Sequence, residues 1–206
     1  MVHRREIDGQ EVVFGVHGAL WGNAMTWWDH DTGSVWSQPI GEAIAGPRKG
    51  ARVELLPSSL TTWGSWRAAN PETLALDSPA SRGGFALEDM VVVVDFVDDA
   101  AAYPITTLRQ GVVANDVVAG APVAVLVDPE DPDAWRVFSR RLDDQTITLL
   151  RDGPHIVDAE TGSTWDPQLG VAQDGPLAGE VLDLLPGFTA VPSDVGTFWP
   201  SGRVWG

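Results

Sequence analysis

Residues 29–57 recur as residues 158–186 at a constant offset of 129 with no gap, and 13 of the 29 positions are identical. Self-similarity at a fixed period signals repeated structural units, and it constrains the fold before any local pattern does. The identities include Asp29/Asp158, Gly33/Gly162, Trp36/Trp165, Gly46/Gly175 and Pro57/Pro186. The first unit is called copy one below and the second copy two. Residues shared by both copies serve the fold that both need. A paired Trp in a turn-flanked strand is a core anchor, and paired glycines supply positive φ in turns.

The match extends in both directions with small gaps. Arg4-Arg5-Glu6-Ile7-Asp8 resembles Arg140-Arg141-Leu142-Asp143-Asp144, and each run precedes a short strand pattern, residues 11–14 or 146–149. Downstream, Trp66 corresponds to Trp199. Copy two carries strand-and-turn patterns over residues 91–127 ahead of Arg140, whereas three residues precede Arg4. Either copy one lost this lead-in or the sequence begins downstream of the true start; the second is the favoured expectation.

The chain of 206 residues has 22 Gly and 15 Pro, which favours short elements between frequent turns over long helices. β-branched runs at residues 91–94 and 123–127 read as buried strands. Asp8-Gly9 and Asp143-Asp144 read as hairpin turns. Thr61 or Thr62 caps a predicted helix over residues 63–69 that Pro71 ends, and residues 106–110 form one further turn. The expected fold is mainly β, with few short helices. Two tandem copies of a β-unit form a barrel or a packed pseudo-twofold domain. Residues 1–76 make the first copy, 77–90 the linker and 91–206 the second copy.

Charge narrows the partners. Twenty-nine acidic residues against 13 basic give a net charge of −16, and Lys49 is the single lysine. Phosphate backbones need basic patches, so nucleic acid is not an expected partner. No run approaches the roughly 20 apolar residues of a membrane helix, so membrane insertion is not expected. An acidic surface nearly free of lysine fits a high-salt environment. With no cysteine, disulfides, thiol catalysis and zinc–thiolate sites are excluded. No phosphate-binding loop, dinucleotide fingerprint or nucleophile elbow is present, so no cofactor is expected. The acidic clusters around residues 128–133 and 143–144 lack calcium-loop spacing, and no His-x-x-x-His occurs, so no metal is expected.

Residues unique to one copy mark the candidate site. Ser37, Gln38 and Glu42 face Asp166, Pro167 and Val171 at the equivalent positions. His17 follows a strand, and histidine is the natural general base near neutral pH. Asn23 lies among Trp21, Trp27 and Trp28 in an insert that copy two lacks. The expectation is a binding module for a small molecule or peptide, with Asn23, Trp27, Trp36, Ser37 and Gln38 as ligand contacts. The alternatives are an enzyme using Glu42 or His17 as acid or base, and an assembly protein or homodimer completed by a partner strand.

Phe14-Gly15-Val16-His17-Gly18 and the string Trp36-Ser37-Gln38-Pro39-Ile40-Gly41-Glu42-Ala43-Ile44 resemble a prokaryotic family catalogued as domain of unknown function 3179. The resemblance continues through Glu54-Leu55-Leu56-Pro57-Ser58 and Thr62-Trp63-Gly64, and recurs at Ala102-Tyr103-Pro104 and Asn115-Asp116. It implies a lead-in with a Cys-Pro-x-Cys-like segment just before the position of His3. This chain has no cysteine, so no role of that segment carries over. It also implies a protein that is often exported, and a structural turn at Tyr103-Pro104.

Overall fold

The computed structural model describes residues 1–75, 86–97 and 99–206. Of the expected linker at residues 77–90, residues 77–85 lie outside them. The two copies begin alike. Glu6–Ile7 pairs with Gln10–Glu11 across Asp8 (φ 52°) and Gly9 (φ 74°), and Arg141–Leu142 pairs with Gln145–Thr146 across Asp143 (φ 50°). Asp tolerates the left-handed conformation that tight hairpins require, as expected from the sequence.

A four-stranded meander follows in each copy. Copy one runs Phe14–Trp21, Ala24–Asp29, Val35–Ser37 and Glu42–Ala45; copy two runs Leu149–Asp152, His155–Asp158, Thr164–Trp165 and Ala172–Asp174. The conserved identities converge on one device. Asp158 is buried; its Oδ1 accepts from the Thr161 N–H at 2.6 Å and its Oδ2 from the Trp165 indole N–H at 3.0 Å. Asp29 does the same with Thr32 at 2.7 Å and Trp36 at 2.9 Å. Burial pushes both carboxyls up, but these donors outweigh it and hold both below the ordinary aspartate value. The loop closing each meander needs glycine: Gly46 and Gly175 both sit at φ 92°, and a Cβ there would lie 2.7 Å from the Cα of Ser34 or Ser163.

The structural register corrects two pairings. The first hairpins correspond at an offset of 135, since Val12 N–H donates to Arg5 O as Ile147 N–H donates to Arg140 O. Arg5, not Arg4, is therefore the counterpart of Arg140. Downstream, the offset of 129 continues through helix α1 (Trp63–Ala69) and its counterpart Pro192–Phe198. Asn70 and Trp199 close them with matching backbones, φ −131°, ψ 70° and φ −130°, ψ 74°. Trp66 therefore matches Val195, and Trp199 matches Asn70. The six-residue change in offset is absorbed by the copy-one hairpin Phe14–Trp21/Ala24–Asp29, which is longer than Leu149–Asp152/His155–Asp158.

Thr62 caps α1 by accepting from the Ser65 N–H at 3.2 Å, and helix α2 spans Ile105–Arg109. The third helix, α3, is Pro192–Phe198. Within copy two, Val91–Asp95 and Ala100–Pro104 join Phe188–Ala190 and Arg203–Val204 in one sheet, while Ala114–Val118, Ala121–Val127 and Trp135–Ser139 form another. A core that includes Val92, Tyr103, Leu108, Val125 and Val137 fills the space between them. Burial, then the hydrogen bond to Asp116 at 2.9 Å, pushes the Tyr103 hydroxyl up, and its role is structural.

The fold is mainly β, as expected, but the sheets pack without closing. The described residues form several small sheets and no closed barrel. The strands divide among separate sheets of two to four, so no one sheet runs far enough to close on itself. The copies interlock instead. α1 of copy one meets copy two, where the Thr62 and Ser65 hydroxyls donate to Asp131 Oδ2 at 3.2 and 2.6 Å. α3 of copy two meets the copy-one hairpin, with Trp21 edge-on to Phe198 at 5.4 Å. Among the described residues no helix is long and apolar enough to cross a membrane.

Candidate functional site

The structure divides the expected site residues. Trp36 is fully buried with its N–H spent on Asp29, so no ligand reaches it. Ser37 is also fully enclosed, and its Oγ has no hydrogen-bond partner among the described residues. Both leave the expected ligand set because the strand Val35–Ser37 is central to the copy-one meander and covered on both faces. Trp27 packs on His3 at 5.4 Å and Phe14 at 5.9 Å, in a separate groove.

Glu42 is ion-paired to Arg52 at 2.6 Å. His17 is exposed on a β-bulge. Its Nδ1 lies 3.1 Å from Thr26 Oγ1, whose proton goes to Ala19 O at 2.7 Å, so His17 Nδ1 is the donor. Glu42 and His17 stand on the two edge strands of a four-stranded sheet. Three strand spacings put their backbones about 14 Å apart, too far for one acid–base pair.

Asn23 and Gln38 do converge. They line a cleft of about 200 Å³ between the copies, together with Met25, Met90, Asp194 and Trp199. The longer copy-one hairpin brings Asn23 there. Gln38 is held by its backbone, whose N–H donates to Met25 O at 3.2 Å and whose carbonyl meets His3 Nε2 at 3.0 Å. Opposite stands Asp194 in the first turn of α3, only 9% exposed. Burial pushes its carboxyl up, and no side chain among the described residues hydrogen-bonds or ion-pairs with it. Nearby, the Trp199 indole N–H is taken by Asp95 at 2.7 Å.

The duplication supplies an internal comparison. The counterpart of Asp194 is Ser65, whose hydroxyl is satisfied by Asp131 at 2.6 Å. Around the equivalent face of copy two, Gln168 donates to Asp128 at 2.7 Å and Gln173 to Asp166 at 3.1 Å. A larger hollow of about 530 Å³ near His3 and Arg52 has walls whose charges are already paired, Arg4 with Glu54 and Arg52 with Glu42. The Asp194 cleft combines amide groups with a buried acid that has no side-chain partner among the described residues. Among the described residues no cluster of His, Asp and Glu has the arrangement of a metal site.

Asp194 lies beyond residues 158–186, the span over which the copies match closely. Carrying the offset of 129 into α3 pairs an acid with Ser65 and exposes the difference.

These features define a duplicated β-protein whose copies exchange helices and enclose one asymmetric acidic cleft. The chain belongs to the family described as protein of unknown function (DUF3179), whose model matches residues 1–83 and again residues 76–201. The two matches fall on the two copies. No curated protein and no solved structure matches the chain significantly.

Proposed function

We propose that the protein is a small-ligand binding module whose site is the cleft between Asn23, Gln38 and Asp194. The observation that carries this reading is Asp194, a residue 9% exposed with no side-chain hydrogen bond or ion pair among the described residues, lining one cleft with two amide side chains. Buried charge without compensation is costly, and such groups concentrate where a ligand supplies the missing partner. The ligand is a small cation or strong hydrogen-bond donor with an apolar body, such as a primary amine. A volume of about 200 Å³ admits a fragment-sized molecule and is below the range of about 300–1,000 Å³ typical of drug-sized ligands, which disfavours a peptide.

Small apolar amines are the probes. Their binding is expected to raise the Tm of the wild-type protein and leave Asp194→Asn unmoved. Affinity should fall as pH drops through the raised value of Asp194, because the protonated carboxyl no longer attracts a cation. Without ligand, Asp194→Asn should be more stable than wild type at neutral pH by about 1 kcal/mol, since it removes a buried charge. Equal Tm shifts in both proteins, or none in either, reject the site.

The reading includes a working environment of high ionic strength. A net charge of −16 repels itself, and raising salt from 0.1 to 1 M shortens the screening length from about 10 to about 3 Å. Tm is expected to climb over that range in sodium chloride. A flat or falling Tm counts against it.

A further inference from the structure

Given a ligand in the Asp194 cleft, as proposed above, we infer that Asp95 is a positioning residue of that cleft: it fixes the Trp199 indole as the wall against which the ligand rests, and the ligand is an alkylammonium ion rather than a neutral hydrogen-bond donor. One short helix presents both groups. Asp194 lies in the first turn of α3 and Trp199 is its C-cap, and both line the cleft. The pair is peculiar to copy two, since the counterparts in copy one are Ser65 and Asn70. Met25 and Met90 stand in the same walls. A carboxylate beside an indole and two polarisable thioethers suits a cation that carries alkyl groups.

Packing alone does not orient the indole. Trp199 is 6% exposed, with Phe188 at 5.6 Å and 46° and Phe198 at 5.9 Å and 60°. A ring held only by apolar contacts can turn over about χ2 and fill nearly the same space, because that torsion has two broad wells. The directional bond from the Trp199 indole N–H to Asp95 Oδ2 at 2.7 Å selects one of them. Donation to an anion also raises the electron density of the ring, which strengthens its attraction for a cation. Asp95 itself stands in the wall of the larger hollow near Arg52, so it acts on the cleft through Trp199.

The chain holds Asp95 in place with a strained turn. Val97 has φ 72°, a conformation that β-branched residues avoid, and it is 63% exposed, so little packing offsets the strain. Its N–H donates to Asp95 Oδ1 at 2.7 Å. One carboxylate oxygen is thus fixed by the turn and the other fixes the indole. Strained backbone of this kind concentrates at ligand clamps.

The probes are n-butylammonium and the neutral 1-butanol, titrated by calorimetry into the full chain well below its Tm, with indole signals followed by ¹⁵N NMR. Butylammonium is expected to bind at least about tenfold tighter than 1-butanol. Asp95→Leu should weaken butylammonium on the order of tenfold and move the Trp199 indole signal, which is the one missing in Trp199→Phe. Asp95→Asn keeps an acceptor for the indole and should recover part of the affinity. In a Trp199→Phe background Asp95→Leu should add little, because the two act as one unit. A structural role alone would lower Tm and leave the affinity of the folded protein unchanged. If wild type binds, Asp194→Asn does not, and Asp95→Leu binds like wild type, the cleft stands and the role of Asp95 is overturned. An undiminished effect of Asp95→Leu in Trp199→Phe also overturns it. Equal affinity for 1-butanol overturns the ligand class. Binding of neither probe to wild type rejects the cleft itself, and this inference with it.

Discussion

Trp165→Ala is expected to lower the stability of the protein by about 3–5 kcal/mol, the range for removing a large aromatic from a core. Trp165 is 2% exposed and lies in a cluster with Phe138, Ile147, Leu149 and Leu182. Truncation also removes the indole N–H from Asp158 Oδ2, leaving a buried carboxylate short of a donor. A whole domain is stable by about 5–15 kcal/mol, so this one change consumes a large share. At about 2–4 °C per kcal/mol for a chain of this size, Tm should fall by about 10 °C. Trp165→Phe separates the two losses. It keeps most of the packing, drops the N–H, and should cost about 1–3 kcal/mol. Trp36→Ala should cost less than Trp165→Ala, because its cluster holds five buried residues rather than ten. Denaturant unfolding measures all three, and a Trp165→Ala cost below about 1 kcal/mol would refute the anchor role.

The same clamp sets an acid limit. The folded Asp158 carboxyl lies below the ordinary 3.8, so the stability it contributes is complete above that value and is lost as pH falls through the lower, folded one. Asp29 acts in the same direction. The stability difference between wild type and Asp158→Asn should therefore shrink as pH drops below 3.8. A difference that is constant down to pH 2 would mean the clamp does not depend on the charge.

What the sequence revealed was local. Asp8-Gly9 specifies a hairpin by backbone preference alone, Thr62 caps Trp63–Ala69 with its own hydroxyl, and the residue 91–94 run forms a buried strand wherever it packs. The duplication added the Asp–Thr–Trp device, because what both copies keep, both cores need. What stayed hidden depends on contacts between the copies. Gln38 and Asp194 are 156 positions apart in the sequence, and only the helix exchange brings them to one cleft. α3 begins at a proline and spans only seven residues, too few for a helical period to emerge, and its buried Val195 and Phe198 gain their burial from residues of both copies. Ser37 differs from its counterpart Asp166 and adjoins Trp36, yet both are entirely core, because a strand one or two residues from a cleft can be covered on both faces.

Arg140→Ala is expected to cost about 3 kcal/mol, whereas Arg5→Ala should stay within about 0.5 kcal/mol of wild type. The two arginines occupy equivalent positions, so the difference isolates what the strand Ala121–Val127 contributes. Arg140 holds three carbonyls from two strands and a hairpin, and charge-assisted hydrogen bonds of this kind are worth about 1.5–3 kcal/mol each without being additive. Burial lowers its guanidinium affinity for the proton, but Glu160 and Asp116 nearby offset part of that, and the group stays charged. Arg5 makes one exposed ion pair, of a kind worth little in water. If Arg140→Ala is itself neutral, the carbonyls it covers are being satisfied by water, and the clamp is not what holds Ala121–Val127 in place.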